Sequence, residues 1–202
     1  MCSWCWAFRP VWAEVQNALP SSIGLTYLLG GLAPDAAAPM PEATRRMVRN
    51  HWRTIEQRVP GTRFNYDFWS ACQPRRSTYP ACRAVIAARF QQPEMEGRMI
   101  TAIQQAYYLQ ARNPSDDDVL IDLAAGLNLD RECFQHDLNS PESMAILMGE
   151  IQQSRRIGAQ GFPSLILAEG DHCRSIPVDY KHAEAMIRHI SEAADGFAMT
   201  IH

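Results

Sequence analysis

Two cysteines stand within the first five residues, in the stretch MCSWCWAF, and their spacing suits three kinds of chemistry. A C-x-x-C pair can bind a metal, form a structural disulfide, or act as a redox couple that opens and closes during a reaction. The residues after the pair favour the redox couple. If Cys2 caps a helix and Cys5 lies in its first turn, both sulfurs face one side, close enough to bond.

A helix that starts at the pair would give the two sulfurs different roles. The unpaired amides and the positive end of the helix dipole favour a thiolate at Cys2, so we expect its pKa to be depressed. Cys2 is then the nucleophile that attacks a disulfide, and Cys5 resolves the mixed disulfide that forms. We expect Ser3 and Trp4, which lie between the cysteines, to tune the reduction potential of the pair.

The composition is typical of a globular protein. The chain has 202 residues, of which 47% are hydrophobic and 20% are charged, enough for one domain or a small domain with an insertion. The formal net charge of -3 leaves no excess of basic residues, so we expect no nucleic-acid partner. No apolar run approaches the roughly 18 to 20 residues that span a bilayer, and no leader precedes the first cysteine, which predicts a cytoplasmic protein without membrane contact. Because cytoplasmic thiols are mostly reduced, a structural disulfide is the least favoured of the three alternatives.

The elements that must position the pair alternate between helix and strand at both ends of the chain. Apolar residues at helical spacing after the pair predict a helix that ends at Pro20. The short apolar run Ile23 to Gly31 predicts a buried strand. Near the other end, Ser164 to Ala168 and Cys173 to Val178 predict a hairpin, and a closing helix from about Lys181 to Ala194 follows it.

The middle of the chain carries helical signals from about residue 41. Trp52 and Ile55 belong to one apolar stripe, and an acidic triplet that begins at Asp116 suits the positive start of another helix. Ser140 followed by Pro141 is typical of a helix N-terminus. Methionine and aromatic rows at this spacing indicate core packing rather than a cofactor site.

Five stretches along the chain are more specific than the C-x-x-C alone: CSWCWAF, YPACRAVIAA, AYYLQARNPSD, LAAGLNLD and GAQGFPSLIL. Together they resemble the DsbA-like thioredoxin-fold disulfide oxidoreductases, in the FrnE and cytosolic branch of that family, over nearly the whole chain. The resemblance implies an α/β protein with a thioredoxin-like fold and a large all-helical insertion. Residues 1–38 and 158–202 would form the thioredoxin-like domain, and residues 39–157 the helical insertion domain.

The resemblance also has implications for the site and the sheet. It implies a cis peptide bond between Phe162 and Pro163, placed against the cysteine pair, where the backbone of Phe162 would meet an extended substrate as an added strand does. Family members carry a buried strand just before the pair. Since only Met1 precedes Cys2 in this sequence, we expect the sheet to lack that first strand.

The predicted function is that of a thiol-disulfide oxidoreductase or isomerase acting on protein or small-molecule thiols and disulfides. No cofactor and no metal are expected beyond the redox-active disulfide itself, with glutathione as a candidate partner and a monomer or homodimer as the assembly. The predicted catalytic residues are Cys2, Cys5 and Pro163. The predicted substrate-binding residues are Ser3, Trp4, Trp6 and Phe162.

Several alternatives stay open at this point. The protein could be a non-catalytic thioredoxin-fold binding module, or a glutathione-dependent enzyme similar to the kappa-type transferases and isomerases, which carry serine where Cys2 stands. We interpret Cys82 as a core residue rather than an active-site thiol, and a disulfide between Cys72 and Cys82 is conceivable. The C-x-x-H of Cys133 and His136 is only a weak zinc pattern, because no second C-x-x-C accompanies it.

Overall fold

The computed structural model describes residues 1–198, and within that range the chain forms nine helices and one β-hairpin. The last four residues of the predicted segment 158–202 lie outside the described part. The helices are α1 Ser3–Ala18, α2 Glu42–Arg58, α3 Phe68–Ala71, α4 Tyr79–Gln91, α5 Met95–Tyr108, α6 Asp117–Gly126, α7 Arg131–Leu138, α8 Pro141–Arg156 and α9 Ala183–Ala198. The strands are β1 Leu165–Glu169 and β2 His172–Ile176.

The hairpin is antiparallel, with Leu165 opposite Ile176 and Glu169 opposite His172. Its turn contains Gly170 at a φ of 57°, a left-handed conformation that glycine adopts without steric cost. The strand bounds agree with the prediction to within two residues. The loop that leads into β1 carries Phe162 and Pro163, so the hairpin fixes the position of that loop.

The prediction of a buried strand from Ile23 to Gly31 is wrong. The segment has no regular secondary structure, and neither strand of the described hairpin pairs with it. A strand needs backbone partners, whereas the Leu29 N–H donates to a carboxylate oxygen of Glu150 at 2.8 Å. Gly31 has a φ of 52°, outside the extended region. Side chains of the helical region, rather than a neighbouring strand, hold this apolar segment.

Helix α1 is shared between two hydrophobic cores. One of its faces packs on the hairpin and α9 through Phe8, Val11 and Val15. Ala7, on another face, belongs to an aromatic cluster centred on the fully buried Trp52 of α2. Burial of these side chains on both sides fixes the axis of α1, and therefore the place where the helix begins.

Candidate active site

The start of α1 positions the cysteine pair. Cys2 is the N-cap residue, with an extended backbone at φ -98° and ψ 120°, and Cys5 lies in the first helical turn. Both side chains are half-buried and both are free thiols. The sequence predicted this arrangement from the spacing alone, and the structure places the two residues as expected.

The two thiols have pKa values displaced in opposite directions. A hydrogen bond from the Cys5 thiol is the largest cause that lowers the pKa of Cys2, to about 6, against the opposing effect of burial. The backbone N–H groups of Cys5 and Trp4 add to this, although the sulfur makes no geometrically complete capping hydrogen bond. The same hydrogen bond to Cys2, together with burial, raises the pKa of Cys5 well above its ordinary value. Near neutral pH the pair therefore holds one thiolate and one thiol.

The loop before β1 faces this pair from the far end of the sequence. In its protonated form Cys2 donates from Sγ to the backbone carbonyl of Phe162 at 3.3 Å, and the Phe162–Pro163 peptide bond is cis. A carbonyl acceptor favours the neutral thiol, so this contact opposes the lowering of the Cys2 pKa without reversing it. The structure thus brings together the three predicted catalytic residues: Cys2 contacts both Cys5 and the carbonyl that precedes Pro163.

The two tryptophans beside the pair lie on different sides of α1. The ring of Trp4 meets Tyr180 edge-on, with centroids 5.1 Å apart. The ring of Trp6 stacks on Tyr108 at 5.6 Å, and its indole N–H donates to the Arg63 carbonyl at 3.0 Å. Trp4 therefore contacts the loop before α9 as well as the aromatic cluster of the helical region, whereas Trp6 contacts the helical region.

Ser3 points toward the helical region. Its hydroxyl oxygen accepts a hydrogen bond from the indole N–H of Trp52 at 3.1 Å. Because Trp52 is fully buried, this bond ties the first residue of α1 to the core of the helical region. The hydroxyl oxygen of Ser3, predicted to bind substrate, is therefore hydrogen-bonded to a side chain of the protein itself.

Sequence reasoning missed three contributors to the site. Tyr180 packs against Trp4, and burial, followed by the charges of the cysteine pair, raises its pKa to about 12. Gly30 contacts the ring of Phe162, and Glu150 holds the residue before that glycine. No motif marks these residues, because their roles depend on contacts between distant parts of the chain.

None of the other four cysteines, all of which lie in the described part of the chain, forms a disulfide. Cys72 donates to the Ala111 carbonyl at 2.9 Å, and neither Cys72 nor Cys82 forms a disulfide. Cys82 is a half-buried residue of α4 that packs against the cluster containing Ile86, and burial raises its pKa. Cys133 is exposed on α7. Within residues 1–198, no three histidine, cysteine or acidic side chains cluster so that they could hold a metal ion.

A helix that begins at a C-x-x-C pair and faces a cis-proline loop next to a hairpin defines a thioredoxin-type fold. A family model described as thioredoxin matches residues 1–177, and the chain belongs to that family. The fold class and the DsbA-like family resemblance predicted from the sequence are confirmed. In the described part of the chain, no helix is both long and apolar enough to cross a membrane.

Two solved structures are similar over almost the full chain. One, from Nitrosomonas europaea, is provisionally described as a protein disulfide isomerase; it has a TM-score of 0.81 and 25% identity, covering 97% of this chain and 94% of that one. The other is the cytosolic disulfide reductase DsbM from Pseudomonas aeruginosa, with a TM-score of 0.77 and 21% identity, covering 98% and 95%. DsbM has also been solved with glutathione, at a TM-score of 0.75.

Curated relatives carry a different description. ClpXP adapter proteins named SpxH are 23% identical in Halalkalibacterium halodurans, over 82% of this chain, and 23% identical in Bacillus subtilis, over 85%. The chain spans about half the length of these relatives, 55% and 56% respectively. The comparisons therefore include both disulfide chemistry and protein binding.

Proposed function

We propose that the protein is a thiol-disulfide oxidoreductase in which Cys2 attacks and Cys5 resolves. The observation that carries this proposal is the position and the lowered pKa of the Cys2 sulfur. It lies at the start of α1, has a pKa lowered to about 6, and is 3.3 Å from the Phe162 carbonyl. A thiolate at neutral pH, a second thiol one turn away and a backbone edge for substrate are the parts that disulfide exchange needs.

The reaction takes place in two steps. The Cys2 thiolate attacks one sulfur of a substrate disulfide, so that a Cys2–substrate disulfide forms and the other substrate sulfur leaves as a thiolate. Cys5 then gives up its proton and attacks the Cys2 sulfur, which forms the Cys2–Cys5 disulfide and releases the second substrate thiolate. The substrate gains two electrons, and the couple loses two. Two equivalents of a small thiol such as glutathione restore the dithiol by the reverse exchange, and no other cofactor is proposed.

The substrate groove is proposed to lie between Trp4 and the Phe162–Pro163 loop. The side chains of Trp4 and Phe162 are both partly exposed, and the Phe162 backbone offers an acceptor to an extended peptide. Ser3 and Trp6 were predicted to bind substrate as well. Their bonds to Trp52 and Arg63 support a second role for them, which is to hold the start of α1 in place.

Single-cysteine variants test the proposal. We expect Cys2→Ser to abolish reduction of insulin by glutathione, because the nucleophile is gone. Cys5→Ser should accumulate a mixed disulfide on Cys2, seen by intact-mass spectrometry, because nothing displaces the captured substrate. Cys133→Ser removes an exposed cysteine of α7 that is not part of the C-x-x-C pair and should leave the rate unchanged. Equal activity in all three variants would refute the proposed exchange.

A second candidate function is a binding protein, favoured by the similarity to the SpxH adapters. In that case the groove beside Cys2 binds a protein segment, and the cysteine pair exchanges no disulfide with it. Binding that persists unchanged in the Cys2→Ser, Cys5→Ser double variant, with no insulin reduction by the native protein, would support this candidate over the enzyme.

The organisation of the chain is proposed along the same lines. Residues 39–157 would form a helical insertion domain, since α2 to α8 all lie between residues 42 and 156. Residues 1–38 and 158–202 would form the thioredoxin-like domain.

A cytoplasmic location is proposed because the similar DsbM is described as cytosolic. We propose a monomer or homodimer that contacts neither nucleic acid nor membrane.

A further inference from the structure

The segment Leu29 to Gly31 lies between the helical region and the Phe162 loop. On one side Gly31 fits against Ile151 of α8 and Tyr79 of α4, and a Cβ at this position would overlap the Ile151 side chain. On the other side Gly30 lies against the ring of Phe162, where a Cβ would overlap ring carbons. The segment is thus in van der Waals contact with both neighbours, and a displacement of one side must be taken up by the other.

Glu150 of α8 holds this segment through the backbone. One carboxylate oxygen accepts the Leu29 N–H at 2.8 Å, and the other accepts from the Arg89 guanidinium at 2.6 Å. Arg89 also binds Glu96 at 2.7 Å. The Glu150 residue is only 8% exposed, so its charge needs both partners, and loss of either would leave a buried polar group unsatisfied.

Phe162 connects the segment to the reacting sulfur. Its ring packs on Gly30, and its own carbonyl accepts from Cys2 Sγ at 3.3 Å. The ring and the carbonyl share one Cα, so a displaced ring moves the carbonyl once rotation about χ1 and χ2 can no longer take up the shift.

We propose that Glu150 and Gly30 are positioning residues that set the distance between the Phe162 loop and Cys2. Glu150 fixes the position of the Leu29 to Gly31 segment through the Leu29 N–H. Because Gly30 has no side chain, the ring of Phe162 can pack directly on the backbone of that segment. This inference rests on the proposed function, because it gives the loop the role of presenting substrate to Cys2. It assigns the helical region a direct part in shaping the exchange site.

Gly30→Ala tests the packing step. The added methyl group should push Phe162 away, so we expect KM for a disulfide peptide to rise about tenfold to a hundredfold with little change in kcat. Gly24→Ala is the matched control in the same stretch between α1 and α2, since a Cβ there meets nothing within 4 Å. It should behave like the native protein.

A double-variant cycle separates repositioning from damage to the fold. In a Phe162→Ala background the ring is absent, so Gly30→Ala should add no further loss. If Gly30→Ala leaves KM unchanged in the native background, or lowers kcat/KM equally in both backgrounds, the packing step is refuted.

Glu150→Leu and Glu150→Gln test the second residue, with Glu96→Gln as the matched control. Glu96 shares Arg89 but does not touch the segment. We expect Glu150→Leu to raise KM as Gly30→Ala does, and Glu150→Gln to restore much of it, because an amide oxygen can still accept the Leu29 N–H. Glu96→Gln should leave KM unchanged even where it lowers Tm. Equal KM values in the Leu variant and the control would refute a positioning role for Glu150.

A readout independent of turnover keeps this inference distinct from the proposed function. Withdrawal of the Phe162 carbonyl removes an acceptor from the Cys2 thiol, so the pH midpoint of Cys2 alkylation should fall in Gly30→Ala and Glu150→Leu but not in the controls. If the native protein shows no disulfide exchange, the proposed function fails while this shift still supports the positioning contacts. If exchange occurs but no variant shifts the midpoint, the positioning inference fails alone.

Discussion

The opposite displacement of the two cysteine pKa values has a local cause. One hydrogen bond is shared between two sulfurs, and it favours the state in which Cys2 is charged and Cys5 is neutral. The helix start adds N–H groups near Cys2, whereas Cys5 is turned into the protein, where burial raises its pKa further. The residue predicted from its position to be reactive is therefore also the one whose pKa is lowered.

The pH dependence of alkylation tests this assignment. Because the folded pKa of Cys2 is about 6, the iodoacetamide rate should fall about tenfold per pH unit below 6 and level off above it. The thiolate stabilises the reduced fold above its unfolded pKa of about 8.5, and this contribution is lost as the pH falls through 6. Cys5→Ala removes the hydrogen-bond donor to Cys2, so the pH midpoint of Cys2 alkylation should move upward in this variant. A native midpoint near 8.5 would contradict the assignment.

At the scale of elements, the start of α1 is fixed by α2 as well as by its own backbone. The hydroxyl of Ser3 accepts the indole N–H of Trp52, whose ring stacks on Phe64 at 4.8 Å and lies within the aromatic cluster. A buried indole N–H has few alternative acceptors, so this bond specifies where the first turn lies. Ser3 therefore helps to fix the position of α1, in addition to any effect that it has on the reduction potential of the pair.

Ser3→Ala tests this anchoring. The substitution leaves the Trp52 N–H buried without an acceptor, so the free energy of unfolding should fall by about 1 to 3 kcal/mol. Ser70→Ala, at an exposed serine of α3, should change it by less than about 0.5 kcal/mol. Urea denaturation followed by circular dichroism measures both variants. Equal stability of the two would show that the Ser3 hydroxyl contributes nothing to the position of α1.

Helix boundaries could be predicted where local chemistry decides them. Ser140 caps α8 by accepting the Ser143 N–H at 3.0 Å with Pro141 at the first position, and the acidic triplet begins α6, both as predicted. The run from Ile23 to Gly31 was wrongly predicted as a strand, because a short apolar run is also the pattern of a buried strand. Its backbone partner is a carboxylate 121 residues away, and no sequence pattern indicates such a contact.

The whole molecule brings the site together from three distant parts of the chain. The cysteine pair comes from the start of α1, the Phe162 loop from before the hairpin, and the Leu29 to Gly31 segment from between α1 and α2. The placement of Cys2 and of the facing Pro163 could be predicted, since the C-x-x-C spacing and the family resemblance mark them. The contributions of Tyr180, Gly30 and Glu150 depend on tertiary packing, so the sequence alone did not reveal them.

The equilibrium of the cysteine couple with glutathione tests the central claim most directly. The native protein is incubated in buffers of increasing oxidised-to-reduced glutathione ratio, quenched with acid, and analysed by intact mass and peptide mapping. We predict a single transition in which the chain loses the mass of the two thiol hydrogens and one disulfide joins Cys2 to Cys5, while Cys133→Ser changes nothing. A chain that never forms this disulfide, or that collects only stable glutathione adducts on Cys2, would contradict the account.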